Sequence, residues 1–185
     1  MRKRKRFKIT DILVGIVFTV LFLSLGVVFT INFRPLYYLD VKLLNIPEAS
    51  GYSKEMIIEN YTGDFAARMR KLQSLLNDKT DLIIVGSSYG GLMAVQYAIE
   101  NEHRVKKLIL LAPALNLAEF MPPSRVLNVP VILYHGSEDD IVDPEKVKDI
   151  ASRYFAALEY HLVPDDHVLH ETFPSLDWKK LLTAG

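Results

Sequence analysis

Cysteine is absent from all 185 residues, which excludes disulfides, thiolate metal sites and a cysteine nucleophile and leaves the redox state of the compartment open. Net charge is absent as well, since 22 Lys and Arg offset 22 Asp and Glu. The two signs are unevenly placed. The first 34 residues carry seven basic side chains against Asp11 alone, so the remainder is acidic and argues against a nucleic-acid-binding body. The length excludes two ordinary domains and leaves room for one real core with an appendage.

Charge is also missing from residues 12–33, a run of 22 residues that matches a hydrocarbon layer of roughly 30 Å at about 1.5 Å per helical residue. A single transmembrane helix is expected there. Arg2, Lys3, Arg4, Lys5, Arg6 and Lys8 precede it and only Arg34 follows, which holds the amino terminus in the cytoplasm and puts the rest of the chain outside. Tyr37 and Tyr38 stand where an aromatic belt meets the headgroups. A cleaved signal peptide is the competing reading, but its apolar region spans about 7–15 residues before an A-x-A-like site, and neither condition holds here.

Residues 34–61, RPLYYLDVKLLNIPEASGYSKEMIIENY, resemble the first extracytoplasmic loop of an uncharacterised family of bacterial integral membrane proteins. The resemblance covers about the first 60 residues, and the later helices that such a family requires do not follow. On physical grounds Ser53 suits the cap of a short helix over 54–60, with Met56 where a capping box places Glu or Gln. The expected domains are therefore 1–34, basic start and membrane helix; 35–63, extracytoplasmic linker; and 64–185, the folded body.

From Asp64 the pattern changes. Asp64 is a plausible N-cap, and Phe65, Met69, Leu72, Leu75 and Leu76 form one helical stripe. Apolar runs follow at 82–85, 108–112, 131–134 and 158–163, separated by helical stretches at 89–100 and 144–155, which predicts a parallel sheet with helical crossovers. Residues 175–182 are predicted as a last helix.

The run DLIIVGSSYGGLMAVQYA sets a buried strand, a sharp turn and a helix rich in small residues in succession, the context of a nucleophile elbow at Ser88 in Gly86-Ser87-Ser88-Tyr89-Gly90. A bare G-x-S-x-G recurs by chance, so the strand and helix around it carry the reading. The N–H of Tyr89, at the positive end of the helix, is the expected oxyanion donor. A serine hydroxyl needs a base, and the base needs an acid to fix its tautomer.

After the third strand comes Tyr134-His135-Gly136-Ser137-Glu138-Asp139-Asp140-Ile141-Val142, and after the fourth Val163-Pro164-Asp165-Asp166-His167-Val168-Leu169-His170. With the serine turn, these segments resemble the α/β-hydrolase family, whose H-G-x-x-D-x-x-V motif carries the acid and whose base follows the last strand. The resemblance implies Asp139 as acid and His167 as base. Asp140 and Asp143 are local rivals for the acid, Asp143 also suiting the N-cap of a helix that begins with Pro144. His170 is the rival base; His103, His135 and His161 lie in the wrong loop or on a strand. A metal site from His161, Asp165, Asp166, His167 and His170 lacks a ligand spacing such as H-E-x-x-H.

The resemblance spans about 65–182, the second half of that family's fold. The implied fold class is a partial α/β-hydrolase parallel sheet of about four strands, preceded by the membrane helix. The strands before the serine turn and the HG-containing loop that supplies a second oxyanion donor have no counterpart between 34 and 80, and neither Gly51 nor Gly63 follows an apolar strand. Losing one such donor costs roughly 10²–10³ in turnover. Strand 82–85 then stands as an apolar edge to be covered by a second copy, another protein or residues 41–46. In the loop 113–130, Leu115, Leu117, Phe120 and Met121 are candidates for a shallow acyl pocket or for ordinary loop packing.

Two functions are expected from this reading. One is a membrane-anchored serine hydrolase that acts on a small-molecule carboxylic ester or thioester and needs no cofactor. The other is a non-catalytic truncated or fused chain carrying half of a hydrolase fold.

Overall fold

In the body of the chain, helix and strand alternate because apolar runs of four to six residues, too short for helices, are separated by helical stretches. The computed structural model describes residue 61 and residues 63–183. The expected membrane helix, the capped helix at 54–60 and most of the linker lie outside the described residues. Among those described, no helix is long and apolar enough to cross a membrane.

Helix α1 (Phe65–Leu75) begins where Asp64 Oδ1 accepts the Ala67 N–H at 2.8 Å, and it buries Met69 and Leu72. The far end of α1 is closed by Arg104, whose Nε donates to Lys79 O at 2.9 Å and whose Nη2 donates to Leu76 O at 2.8 Å. Such a cation donates to carbonyls that a helix terminus leaves without N–H donors of their own.

Strands β1 (Leu82–Ser87), β2 (Val105–Leu111), β3 (Val131–Gly136) and β4 (Leu158–Val163) form one parallel sheet in that order. Helix α2 (Tyr89–Glu100) with a 3₁₀ turn (Glu102–Arg104), and helix α3 (Pro144–Tyr154), make the first and last crossovers. The register sets Ser87 beside Leu111, Leu111 beside Tyr134, and Gly136 beside Val163. The carboxyl ends of β1, β3 and β4 therefore lie along one sheet edge, where ligands of open α/β sheets bind.

The pleat divides the core. Leu108, Leu110, Val131 and Leu133 pack with residues of α1, α2 and α3, whereas Ile109 and Leu111 pack with Phe173, Trp178 and Leu181 on the other face. Each such side chain, when fully buried, stabilises the fold by about 1.5–3 kcal/mol. Among the described residues β1 is an edge strand with no partner on its outer side.

Strands β1 and β3 run two residues further than expected, to Ser87 and Gly136, and two larger differences follow. Strand β2 starts at Val105 rather than 108, taking in the exposed Lys106 and the buried Lys107, whose Nζ donates to Leu181 O at 3.2 Å. The predicted last helix is two pieces, α4 (Thr172–Ser175) and α5 (Trp178–Thr183). Leu176 is extended between them, and Asp177 Oδ1 accepts the Lys180 N–H at 3.0 Å, so the chain restarts with its own cap.

Candidate active site

Three loops leave the same edge of the sheet, and each carries one of the expected side chains. The first is the turn from β1 into α2. Ser88 has φ 49° and ψ −118°, a conformation that non-glycine residues seldom adopt. The turn is so tight that a Cβ at Gly86 would lie 2.6 Å from Gly90 O. The Ser88 backbone is tied down on both sides, its N–H donating to Leu111 O at 2.9 Å and its carbonyl accepting the Ala114 N–H at 2.9 Å. Tyr89 is the first residue of α2, so its N–H has no intrahelical acceptor. Its ring meets Phe65 edge-on at 5.8 Å, and the Arg68 guanidinium lies 5.0 Å from the ring centre, which directs the phenol towards α1.

The loop after β3 turns on Asp139, whose side chain is fully buried. Its Oδ1 accepts the N–H of Ile141 at 2.9 Å and of Val142 at 2.8 Å. Its Oδ2 lies 2.7 Å from His167 Nδ1 and 2.9 Å from His135 Nε2. Four donors thus fill the carboxylate. Burial pushes the Asp139 carboxyl up, but hydrogen bonds from His135, His167 and Val142 outweigh it and hold the group well below the usual carboxylate range. The rivals lie elsewhere: Asp140 is exposed, and Asp143 caps α3 by accepting the Glu145 N–H at 3.0 Å and the Lys146 N–H at 3.3 Å.

The loop after β4 turns on a second aspartate. Asp165 accepts the N–H of Asp166 at 2.8 Å on Oδ1, and of Glu171 at 3.1 Å and Thr172 at 2.8 Å on Oδ2. This wrapping presents His167, which is 5% exposed, with Nδ1 towards Asp139 and Nε2 2.9 Å from Ser88 Oγ. The loops after β3 and β4 are joined by Ser137 N–H to Val163 O at 2.7 Å and Glu138 N–H to Asp165 O at 3.0 Å. Gly136 sits at the junction, where a Cβ would fall 2.2 Å from Asp165 O.

Ser88, His167 and Asp139 are therefore one hydrogen-bonded chain with the nitrogen order that general-base activation of a serine requires. The other candidates are dispersed. His170 bonds Asp166 at 2.7 Å on the surface, His161 stacks on Tyr134 at 4.5 Å, and His103 is exposed in the 3₁₀ turn. Among the described residues no group of three or more His, Asp or Glu is placed to hold a metal ion. Of the residues considered for an acyl pocket, Leu115 is in the main core with Phe120 against it, whereas Leu117 and Met121 are exposed. A recess of about 380 Å³ lined by Ile99, Glu100, Glu102, His103, Arg125 and Asn128 lies at the opposite end of α2 from Ser88.

Two residues of this region were not expected to matter. From the sequence His135 reads as a strand residue, and Asp165 enters only among candidate metal ligands. The signal for His135 was its place at the head of the same H-G-x-x-D motif, four residues before Asp139.

The fold agrees with solved hydrolases. An alpha-beta serine hydrolase homologue from Coxiella burnetii is 18% identical, with 71% of this chain and 64% of that one covered at a TM-score of 0.52. A CIB-like hydrolase from Thermoplasma acidophilum is 21% identical, with 72% and 66% covered at 0.52. Alpha/beta hydrolase domain-containing protein 10 from mouse is 22% identical, with 68% and 70% covered at 0.50. The chain spans slightly less than two thirds of the length of the first two. Residues 43–126 match the family model described as alpha/beta hydrolase fold, so that similarity begins upstream of Asp64. Residues 12–66 match a second family model, Lipoprotein intramolecular transacylase Lit. No protein of curated function matches the chain.

Proposed function

We propose that this chain, whose body has the α/β-hydrolase fold, is a membrane-anchored serine hydrolase of carboxylic esters or thioesters. The observation that carries the proposal is the continuous chain from Ser88 Oγ through His167 to Asp139, at 2.9 and 2.7 Å. Ser88 Oγ attacks the substrate carbonyl carbon while its proton passes to His167 Nε2, and Asp139 balances the imidazolium through Nδ1. The Tyr89 N–H stabilises the oxyanion. Collapse of the tetrahedral intermediate expels the alcohol or thiol, which takes the proton from His167. Water then attacks the acyl-serine with His167 as base, releasing the carboxylic acid and restoring Ser88.

The uncharged run at 12–33 and the basic residues before it support an anchor with the amino terminus in the cytoplasm and the body outside. The similarity of 12–66 to a transacylase named for lipoproteins supports an acyl substrate at a membrane surface. A non-catalytic chain is the second reading, favoured by a span of 64% and 66% of the first two hydrolases.

The test is labelling of the purified full chain with a fluorophosphonate, which phosphonylates an activated serine and releases fluoride. Labelling is expected in the wild type and none in Ser88→Ala; a folded wild type that does not label leaves the non-catalytic reading. Externally added protease acting on intact cells tests the topology, and a body protected from it contradicts the outward orientation.

A further inference from the structure

We propose that His135 is a positioning residue for this reaction, a neutral imidazole whose Nε2–H holds Asp139 Oδ2 in the orientation that receives His167. The inference rests on the serine hydrolase reading above. His135 is fully buried on β3, and its Nε2 faces two acceptors, Asp139 Oδ2 at 2.9 Å and Val142 O at 3.0 Å. A nitrogen between a carboxylate and a carbonyl carries the proton. Its Nδ1 is buried with no hydrogen-bond partner, so a second proton there would be a buried donor without an acceptor. The ring is thus held in one neutral tautomer.

That tautomer does two things. It bridges the two ends of the loop, gripping Asp139 and the carbonyl of Val142 while Asp139 Oδ1 grips the Val142 N–H at 2.8 Å. It also shares Oδ2 with His167, so the carboxylate plane is pinned from the strand side before the base engages it. Without this donor, Oδ2 keeps only His167, the carboxylate is freer to rotate, and its charge falls more fully on the base.

Replacement of His135 by Leu removes the donor, whereas Gln restores an N–H near the Nε2 position. In the full chain, His135→Leu is expected to slow fluorophosphonate labelling about tenfold, the scale of one hydrogen bond to a charged group, and His135→Gln to stay within about threefold of wild type. In His135→Leu the acid limb of the labelling-rate profile moves to higher pH, because the less shared carboxylate favours the imidazolium. His167 itself meets Ser88 and Asp139, and the other titratable groups on the three loops are Tyr89 on the serine turn, Asp140 on the acid loop, and Asp165, Asp166 and His170 on its own loop. None of these is altered by the substitution.

Equal rates and equal profiles in His135→Leu and wild type, with the wild type labelling, overturn this role and leave the hydrolase reading intact. A Gln variant that folds yet labels as slowly as Leu overturns it too. A wild type that does not label removes the hydrolase reading and this role together. Should His135→Leu fail to fold, nitrogen-15 NMR of the wild-type histidines decides. The expected signature is a His135 whose ring proton sits on Nε2, between Asp139 Oδ2 and Val142 O, and whose Nε2–H resonance shifts when Ser88 is phosphonylated and His167 takes up charge. A proton on Nδ1, or no response to phosphonylation, overturns the assignment.

Discussion

The loops after β3 and β4 are each organised by a buried aspartate, Asp139 in one and Asp165 in the other, and they differ in what the second carboxylate oxygen meets. Asp165 gives both oxygens to backbone N–H groups of Asp166, Glu171 and Thr172. Asp139 gives one oxygen to the backbone of Ile141 and Val142 and presents the other to two imidazoles. For Asp165, as for Asp139, burial pushes the carboxyl up and the hydrogen bonds outweigh it, so the group lies below the usual carboxylate range. A depressed carboxyl therefore does not separate a catalytic from a structural role here. The partner of the second oxygen does.

The comparison breaks first at the level of rate. Asp139→Asn keeps the shape but presents an amide where four donors converge, so the tautomer of His167 is no longer specified. Fluorophosphonate labelling is expected to fall by about 10³–10⁴. Asp165→Ala, measured where it is folded, should label within about fivefold of wild type, since the lost partners, three backbone N–H groups and the Thr172 side chain, all belong to the supporting loop. Comparable rate losses in the two variants would falsify the division of labour between the loops.

Stability is the second measure of Asp165. Asp165→Ala leaves the Glu171 and Thr172 N–H groups without their carboxylate and is expected to destabilise the body by about 2 kcal/mol in denaturant unfolding. The pH dependence follows from the direction of the shifts. Each carboxyl titrates lower when folded than when unfolded, so its contribution is fully present above the unfolded value near about 4 and is lost as pH falls below it. Stability should decline on acidification through that range. The decline should be shallower in Asp165→Ala, because one of the two linked groups is gone; an unchanged slope contradicts the assignment of Asp165 as a loop organiser.

Much of this architecture is legible along the chain, and the residues that are not share a cause. Short apolar runs announce β1, β3 and β4, helical stretches announce α2 and α3, and the resemblance to the hydrolase motifs selects Asp139 and His167, which follow strands that end on one edge. Asp165 and His135 act through contacts that depend on the path of a loop and on the register of β3, neither of which leaves a periodic trace. Lys107 hides the start of β2 for a related reason: its ammonium reaches the Leu181 carbonyl, a partner 74 residues away. The extended Leu176 that splits the last helix is visible only once the cap at Asp177 is seen.

The smallest expected effect concerns His170, the rival base three residues beyond His167. Both histidines bond an aspartate through Nδ1 at 2.7 Å, yet His170 and Asp166 have side chains 52% and 48% exposed, against 5% and 0% for His167 and Asp139. An exposed pair of this kind is worth about 0–1 kcal/mol, because water screens it and its side chains lose freedom in forming it. His170→Ala should therefore leave the labelling rate within about twofold and change unfolding by under about 1 kcal/mol, whereas His167→Ala should approach the loss seen in Asp139→Asn. If His170→Ala matched the loss in His167→Ala, the base would have to alternate between the two rings. The loop wrapped around Asp165 would then be a hinge rather than the rigid support that its three backbone hydrogen bonds imply.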